Sequence, residues 1–241
     1  MISKQQQKYI QSLHNKKYRT EYGQFLVEGE KGISELLHSD YQIIQIYITE
    51  EFAQKLPPHK NLVVAPVTHI ESVSTYKSNA SGIAVVQQKR FEVPENFQGR
   101  ILILDGLRDP GNLGTIIRLA DWYGIEHLIC SEDTVEFYNP KVISSTMGSF
   151  TRVKPYYLDI HSFMEKYPHP ILGADLEGQN VHKWDFPKNM ALVIGSESHG
   201  ISAETERQLT DKVNIPRIGK AESLNAAMAT GIILDNMFRE I

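Results

Sequence analysis

Ile101-Leu102-Ile103-Leu104-Asp105-Gly106-Leu107-Arg108-Asp109-Pro110-Gly111-Asn112-Leu113-Gly114 is the stretch on which the reading of this chain turns. Four consecutive apolar residues ending on Asp-Gly have the pattern of a strand buried on both faces, as in a parallel sheet. A Gly/Pro-rich turn follows, then a helix expected from about Leu113 to Tyr123 and closed by Gly124. The buried-strand pattern returns at His127–Cys130, Ile171–Ala174 and Ala191–Ile194, with helical stretches between. Val213–Pro216 reads as a last short strand and Leu224–Arg239 as a closing helix. This rhythm predicts an α/β fold with a largely parallel sheet covered by helices. Ligands of such sheets gather at the carboxyl ends of the strands.

Upstream, Phe25–Gly29, Ile43–Ile48, Leu62–Ala65 and Ile83–Gln87 read as strands, and Glu30–His38 as a helix with Ile33, Leu36 and Leu37 inward. A small α/β domain is therefore expected over residues 1–91, a polar linker with Pro94 and Gly99 over 92–99, and a second domain over 100–241. Ser3 and Gln6 form a capping box for an N-terminal helix in which Tyr9, Ile10 and Leu13 fall at helical spacing.

Among the 241 residues, 25 Lys and Arg against 29 Asp and Glu leave a net charge of −4. A protein that coats nucleic acid nonspecifically is normally basic, because its affinity comes from neutralised phosphates. The bulk charge excludes that class. It is unevenly placed, however: the first 20 residues carry +5 and no acid, leaving −9 on the rest. A solvated helix face and a contact to RNA phosphates both fit this segment. The single cysteine, Cys130, excludes an internal disulfide and a multi-cysteine metal site, and its apolar neighbours make it a small buried hydrophobe rather than a nucleophile. No apolar run approaches the ~20 residues that span a bilayer, and the polar N-terminus lacks a secretory core. A cytoplasmic protein without membrane or metal partners is expected.

Three loops at strand ends carry the polar residues of interest. In Asp105–Arg118, free N–H groups at a helix start favour an anion; Asn112 fits as the helix cap, and Arg118 is the nearby cation. In Ala191–Gly200, Gly195 and Gly200 flank Glu197, which either serves a site or caps the following helix; His199 receives no role. In Val213–Gly231, Ser223 is the expected N-cap and Asn225 lies at N2 with its amide free. Together they place Asn, Arg, Glu, Ser and Asn at the strand ends of one sheet, a constellation suited to a site.

These three segments, in this order, resemble the three motifs of the SPOUT-class RNA ribose 2′-O-methyltransferases of the SpoU or TrmH-like branch, over nearly the whole chain. Phe25–Gly29 with its helix resembles the L30e-like substrate-binding domain of rRNA-directed members. The resemblance implies a C-terminal parallel sheet threaded into a trefoil knot, a homodimer with a site completed across its interface, and S-adenosylmethionine as cofactor. By position, Gly195, Ile215 and Leu224 match cofactor-contacting residues, and Asn112, Arg118, Glu197, Ser223 and Asn225 match the catalytic pattern. Arg217 stands where the family commonly has Met, and Asn225-Ala-Ala-Met-Ala replaces a commoner Asn-Val-Ser-Val-Ala. Arg118 is either the general base, as the family is usually read, or a clamp on phosphate and developing oxyanion. The substrate implied is RNA, 23S-type rRNA ahead of tRNA. A tRNA ribose methyltransferase and a non-catalytic RNA-binding or ribosome-assembly protein are the alternatives.

Overall fold

The computed structural model describes residues 2–239. The elements run α1 (Lys4–Ser12), α2 (Lys16–Tyr22), β1 (Gln24–Glu28), α3 (Glu30–Leu37), β2 (Ile43–Ile48), α4 (Glu50–Ala53), β3 (Leu62–Val64), α5 (Val67–Glu71) and β4 (Gly82–Gln87). They continue with β5 (Arg100–Asp105), α6 (Pro110–Trp122), β6 (His127–Cys130), α7 (Pro140–Ser145), β7 (Lys154–Tyr157), α8 (Ile160–Lys166), β8 (Ile171–Asn180), β9 (Met190–Gly195), α9 (Ala203–Glu206), β10 (Asp211–Asn214) and α10 (Ala226–Met237). The chain divides into two compact units. One holds the residues up to Arg90 together with Glu136–Thr151; the other holds Phe91–Val135 and the residues from Arg152 onward.

The first unit is built on a four-stranded sheet in the order β1-β4-β2-β3, antiparallel except for the β2–β3 pair. The two-residue alternation of β1 places its neighbours on opposite faces. Leu26 joins Ile10, Leu13, Ile70 and Val85 in one core. Phe25 lies instead in an aromatic cluster, 4.5 Å from the Tyr138 ring and 5.8 Å from those of Tyr41 and Phe150. The basic N-terminal segment is two helices rather than one: the capping box of Ser3 and Gln6 opens α1, Asn15 caps α2, and Gly23 closes α2 in the left-handed region at φ 63°. Ile10 and Leu13 are fully buried, so the segment is part of the fold. Arg19 is 2% exposed and bidentate to Glu136 at 3.0 and 2.7 Å, and it donates to the carbonyls of Leu13 and His14 at 2.8 Å. One of the five N-terminal charges is therefore internal, and it fastens residues 136–151 to this unit.

The second unit is a six-stranded, all-parallel sheet in the order β10-β8-β9-β5-β6-β7. The apolar run that predicted a doubly covered strand is β5; Ile101 to Leu104 and their β9 neighbours Ala191 to Val193 are wholly buried. The unheralded strand is β7, whose Lys154-Pro155-Tyr156-Tyr157 sequence pairs at the sheet edge. Edge pairing is where a strand tolerates proline. Cys130 is fully buried and unpaired, and burial pushes its thiol pKa up, as befits a packing residue. From β5 the chain proceeds to β6 on one side, while β9 lies on the other. The carboxyl ends of β5 and β9 thus flank the point where strand order reverses, the crevice in which open α/β sheets bind ligands.

Candidate active site

Asp105 and Gly195 face each other in register at the carboxyl ends of β5 and β9. Beyond β5 the backbone turns through Gly106, at φ 70°, into α6. Asp109, not Asn112, caps that helix: its carboxylate accepts the Asn112 N–H at 2.8 Å, and Pro110 follows at the first helical position. Proline lacks the N–H that a first-turn residue cannot satisfy, so Asp-Pro is a strong helix opening. Displaced into the first turn, Asn112 is buried and has its amide available.

That amide joins all three loops. Asn112 Nδ2 donates to Glu197 Oε1 at 2.8 Å, and Asn112 Oδ1 accepts from Asn225 Nδ2 at 2.8 Å. Asn225 is the N-cap of α10, accepting from the N–H groups of Ala227 and Met228 at 3.0 and 3.2 Å. The expected cap at Ser223, with Asn225 at N2 and its amide free, is corrected on both counts. A helix that begins two residues later lets Asn225 close its first turn while the other amide atom reaches Asn112.

Glu197 does not cap the helix that follows it; Ser202 caps α9. Its carboxylate instead meets the N–H groups of Arg108 and Asp109 at 3.4 and 3.3 Å. The anion favoured by the start of α6 is thus supplied by the chain itself. The Glu197 loop is held at its far end by Asp105, a buried carboxylate that accepts from Ser202 N–H at 2.8 Å. Ser196 and Gly200 close the loop with reciprocal backbone hydrogen bonds of 2.9 Å. A Cβ on Gly195 would lie 2.1 Å from the Gly200 carbonyl carbon, so glycine is required there by close backbone approach.

The architecture so described coincides with a known family. Residues 99–235, more than half of the chain, match the SpoU rRNA Methylase family, and residues 4–86 match the MRM3-like substrate binding domain. The chain belongs to the SpoU rRNA methylase family. It is 28% identical over 229 residues to the 23S rRNA (guanosine(2553)-2'-O)-methyltransferase of Bacillus subtilis, covering 92% of this chain and 91% of that one. A TrmH-family structure from Porphyromonas gingivalis, 34% identical, superposes over 100% of both chains with a TM-score of 0.89. An AdoMet-bound rRNA methyltransferase from Sinorhizobium meliloti, 26% identical, superposes over 100% of this chain and 97% of its own with a TM-score of 0.86.

Of the five polar motif residues of this SpoU chain, Asn112, Glu197 and Asn225 are brought into one hydrogen-bonded chain. Arg118 and Ser223 stand outside it, exposed, and their side chains make no hydrogen bond or ion pair among the described residues. Six residues of helix separate Arg118 from Asn112, which turns its side chain away from that amide. Ile215 is half-buried just after β10, and Leu224 is 50% exposed just before the α10 cap. Between them the loop is exposed throughout, and Arg217 folds it back on itself by donating to the carbonyls of Ala221 and Glu222 at 3.2 and 3.5 Å. That contact gives the departure at Arg217 a structural role. Asp109 and Asp105 are positioning residues outside the expected set. The Asp-Pro pair is a legible signal for the first; the second depends on a contact 97 positions away. Among the described residues no cluster of His, Cys, Asp or Glu side chains is arranged to hold a metal ion.

Proposed function

We propose that this protein transfers a methyl group from S-adenosylmethionine to a ribose 2′-hydroxyl of RNA, with 23S-type rRNA as substrate. The observation that carries the proposal is the Glu197–Asn112–Asn225 chain at the sheet's switch point. It ties together three loops whose polar residues have no packing reason to converge. The bacterial relative matched over nine-tenths of the chain, named as a 23S rRNA 2'-O-methyltransferase, supports the substrate.

The residues fit the cofactor in kind. Gly195 keeps the end of β9 free of any side chain, and Ile215 and Leu224 offer apolar surface, half of it open at Leu224, for the adenosyl and thioether portions. Bound there, the cofactor supplies an activated methyl group on a sulfonium. The protein's task is then chiefly to hold the ribose in line, since proximity accounts for much of such an acceleration. Asn112 and Asn225 fix the geometry of the loops, and Glu197 locks them to the start of α6. Arg118 acts as a cationic clamp on the RNA phosphate and on the developing 2′-oxyanion rather than as a base, because a guanidinium keeps its proton in proteins. Ser223 orients the ribose or Arg118 from the exposed loop before α10.

The outward placement of Arg118 supports a homodimer that completes the site. Thr115, Arg118 and Trp122 share the exposed face of α6, with Trp122 81% exposed, and Met228 on α10 is 61% exposed. Large apolar side chains left exposed mark a surface for another macromolecule, and a second copy of this chain is the occupant proposed here. The knotted path belongs to the same reading. Its support is the match of residues 99–235 to the family. A cytoplasmic location follows from the substrate.

The test is incubation of the protein with methyl-labelled S-adenosylmethionine and unmodified 23S rRNA, with total tRNA as comparison, and mapping of the label. Label at a ribose 2′-oxygen of the rRNA is the expected result. Label on a base, or on tRNA alone, would overturn the assignment.

A further inference from the structure

In the first unit, α1 and α2 bring three tyrosines together beside unpaired lysines. The rings of Tyr18 and Tyr22 stack at 6.0 Å with 23° between their planes, and Tyr22 meets Tyr9 at 5.6 Å and 53°. Tyr22 is 41% exposed. Lys17 Nζ stands 5.7 Å from the centroid of the Tyr18 ring. Lys4, Lys8, Lys16 and Lys17 are all exposed, and none makes an ion pair among the described residues; Arg19 is committed to Glu136 and the exposed acid on these helices is Glu21. The solvent-facing charge of the two helices is therefore +3, on a protein whose net charge is −4.

We infer that the Tyr9–Tyr22–Tyr18 array with Lys16 and Lys17 is a stacking platform for an unpaired stretch of the substrate RNA. Two independent features point to the same ligand. An aromatic ring open to solvent, here Tyr22 with Tyr18 and Tyr9 half-buried behind it, receives a base, every base having a π-face, and the unneutralised ammonium groups of the same helices receive the backbone phosphates. Lys17 lies over the Tyr18 ring and Tyr22 stacks on it, so the open face of the array is that of Tyr22, and Lys17 is placed to meet the phosphate next to a base stacked there. A duplex offers no free base face, so the platform takes single-stranded RNA. Tyr9 is held in place by its hydroxyl, which donates to Gln24 Oε1 on β1, so the array is anchored to the sheet. This platform deepens the reading of the protein as an RNA-modifying enzyme and rests on it.

The full-length protein is titrated by fluorescence anisotropy against a labelled oligouridine strand and against a blunt RNA duplex, each over a range of salt. The double variant Tyr18→Ala/Tyr22→Ala should bind the strand about tenfold or more weakly, since a stacked base is worth ~1–3 kcal/mol. Its salt dependence and its duplex binding should be unchanged. Tyr18→Phe/Tyr22→Phe, which keeps the rings, should bind as the parent does. Lys16→Gln/Lys17→Gln should lower the slope of log affinity against log salt by ~0.7 per charge removed. Strand binding by the alanine variant within about twofold of the parent overturns the platform, as does an equal loss in the phenylalanine variant. Methylation of rRNA by the parent, measured alongside, separates the two proposals. If methylation is present and the alanine variant binds normally, the platform falls and the enzyme reading stands. If methylation is absent and the alanine variant still loses the strand, the platform stands and the enzyme reading falls.

Discussion

Asn112→Asp changes one amide nitrogen to oxygen, leaves the volume of the side chain almost unaltered, and should nevertheless weaken the second unit by about 2–3 kcal/mol at neutral pH. The native Nδ2 donates to a carboxylate oxygen at 2.8 Å. Hydrogen bonds to charged partners contribute ~1.5–3 kcal/mol, and the exposure of Glu197 argues for the lower end. In the variant that donor becomes a second carboxylate facing the first. Two charges held at this separation would repel by ~1.5 kcal/mol in water and ~6 near a protein surface, of which about 1 kcal/mol remains after the side chains relax apart and salt screens them. The contact from Asn225 Nδ2 survives, because the variant side chain still accepts there. Repulsion raises the folded-state pKa of the carboxyl pair, the exchanged side chain and Glu197, above the unfolded carboxylate value. Stability relative to the parent therefore falls as pH rises, and the deficit shrinks as pH drops toward ~4, where the pair holds a shared proton. Both tryptophans, Trp122 and Trp184, lie in the second unit, so intrinsic fluorescence in a urea titration reports on the affected part. A deficit below ~0.5 kcal/mol, or one that does not change between neutral pH and ~4, would refute the reasoning.

Other outcomes follow from the same geometry. Arg118→Ala should abolish methyl transfer while calorimetric affinity for S-adenosylmethionine stays near that of the parent; Arg118→Lys retaining substantial turnover would show that charge alone suffices. Gly195→Ala, which would set a Cβ 2.1 Å from the Gly200 backbone, should disrupt the Glu197 loop and abolish cofactor binding in the same calorimetric assay. Arg19→Ala should destabilise the first unit by ~3 kcal/mol, because it leaves Glu136 without its buried partner, with hydrogen exchange of β1 as the readout. Asp109→Ala should cost about 1 kcal/mol through loss of the α6 cap, and Asp109→Ser should recover most of it in the same urea titration.

Legibility in the sequence follows physical range. The buried strands β5, β6 and β9 are readable because a strand covered on both faces must be apolar at every position, whatever covers it. The capping box at Ser3 is likewise local, and the structure contains it. Helix α10 is placed by its pattern but its first turn is not, since Ser223 and Asn225 are both good caps and local preference does not rank them. What decides between them is Asn112, 113 positions earlier, whose carbonyl oxygen takes the Asn225 amide. The start of α6 differs in kind: Asp109-Pro110 is a local signal for the cap, stronger than the competing one at Asn112, and the helix obeys it.

Charge placement divides the same way. The sequence alone establishes that the basic groups cluster in the first 20 residues and that the chain as a whole does not coat nucleic acid. Composition cannot tell a charge facing water from one facing a carboxylate, because the partner of Arg19 is Glu136, 117 positions away. Only the folded chain withdraws that charge from the surface and, by the same bond, ties residues 136–151 into the first unit. The parallel sheet is decided by patterns a few residues long, each satisfied within its own strand. The site is decided by three loops meeting at a switch point. Their meeting is a property of strand order, which no single segment carries.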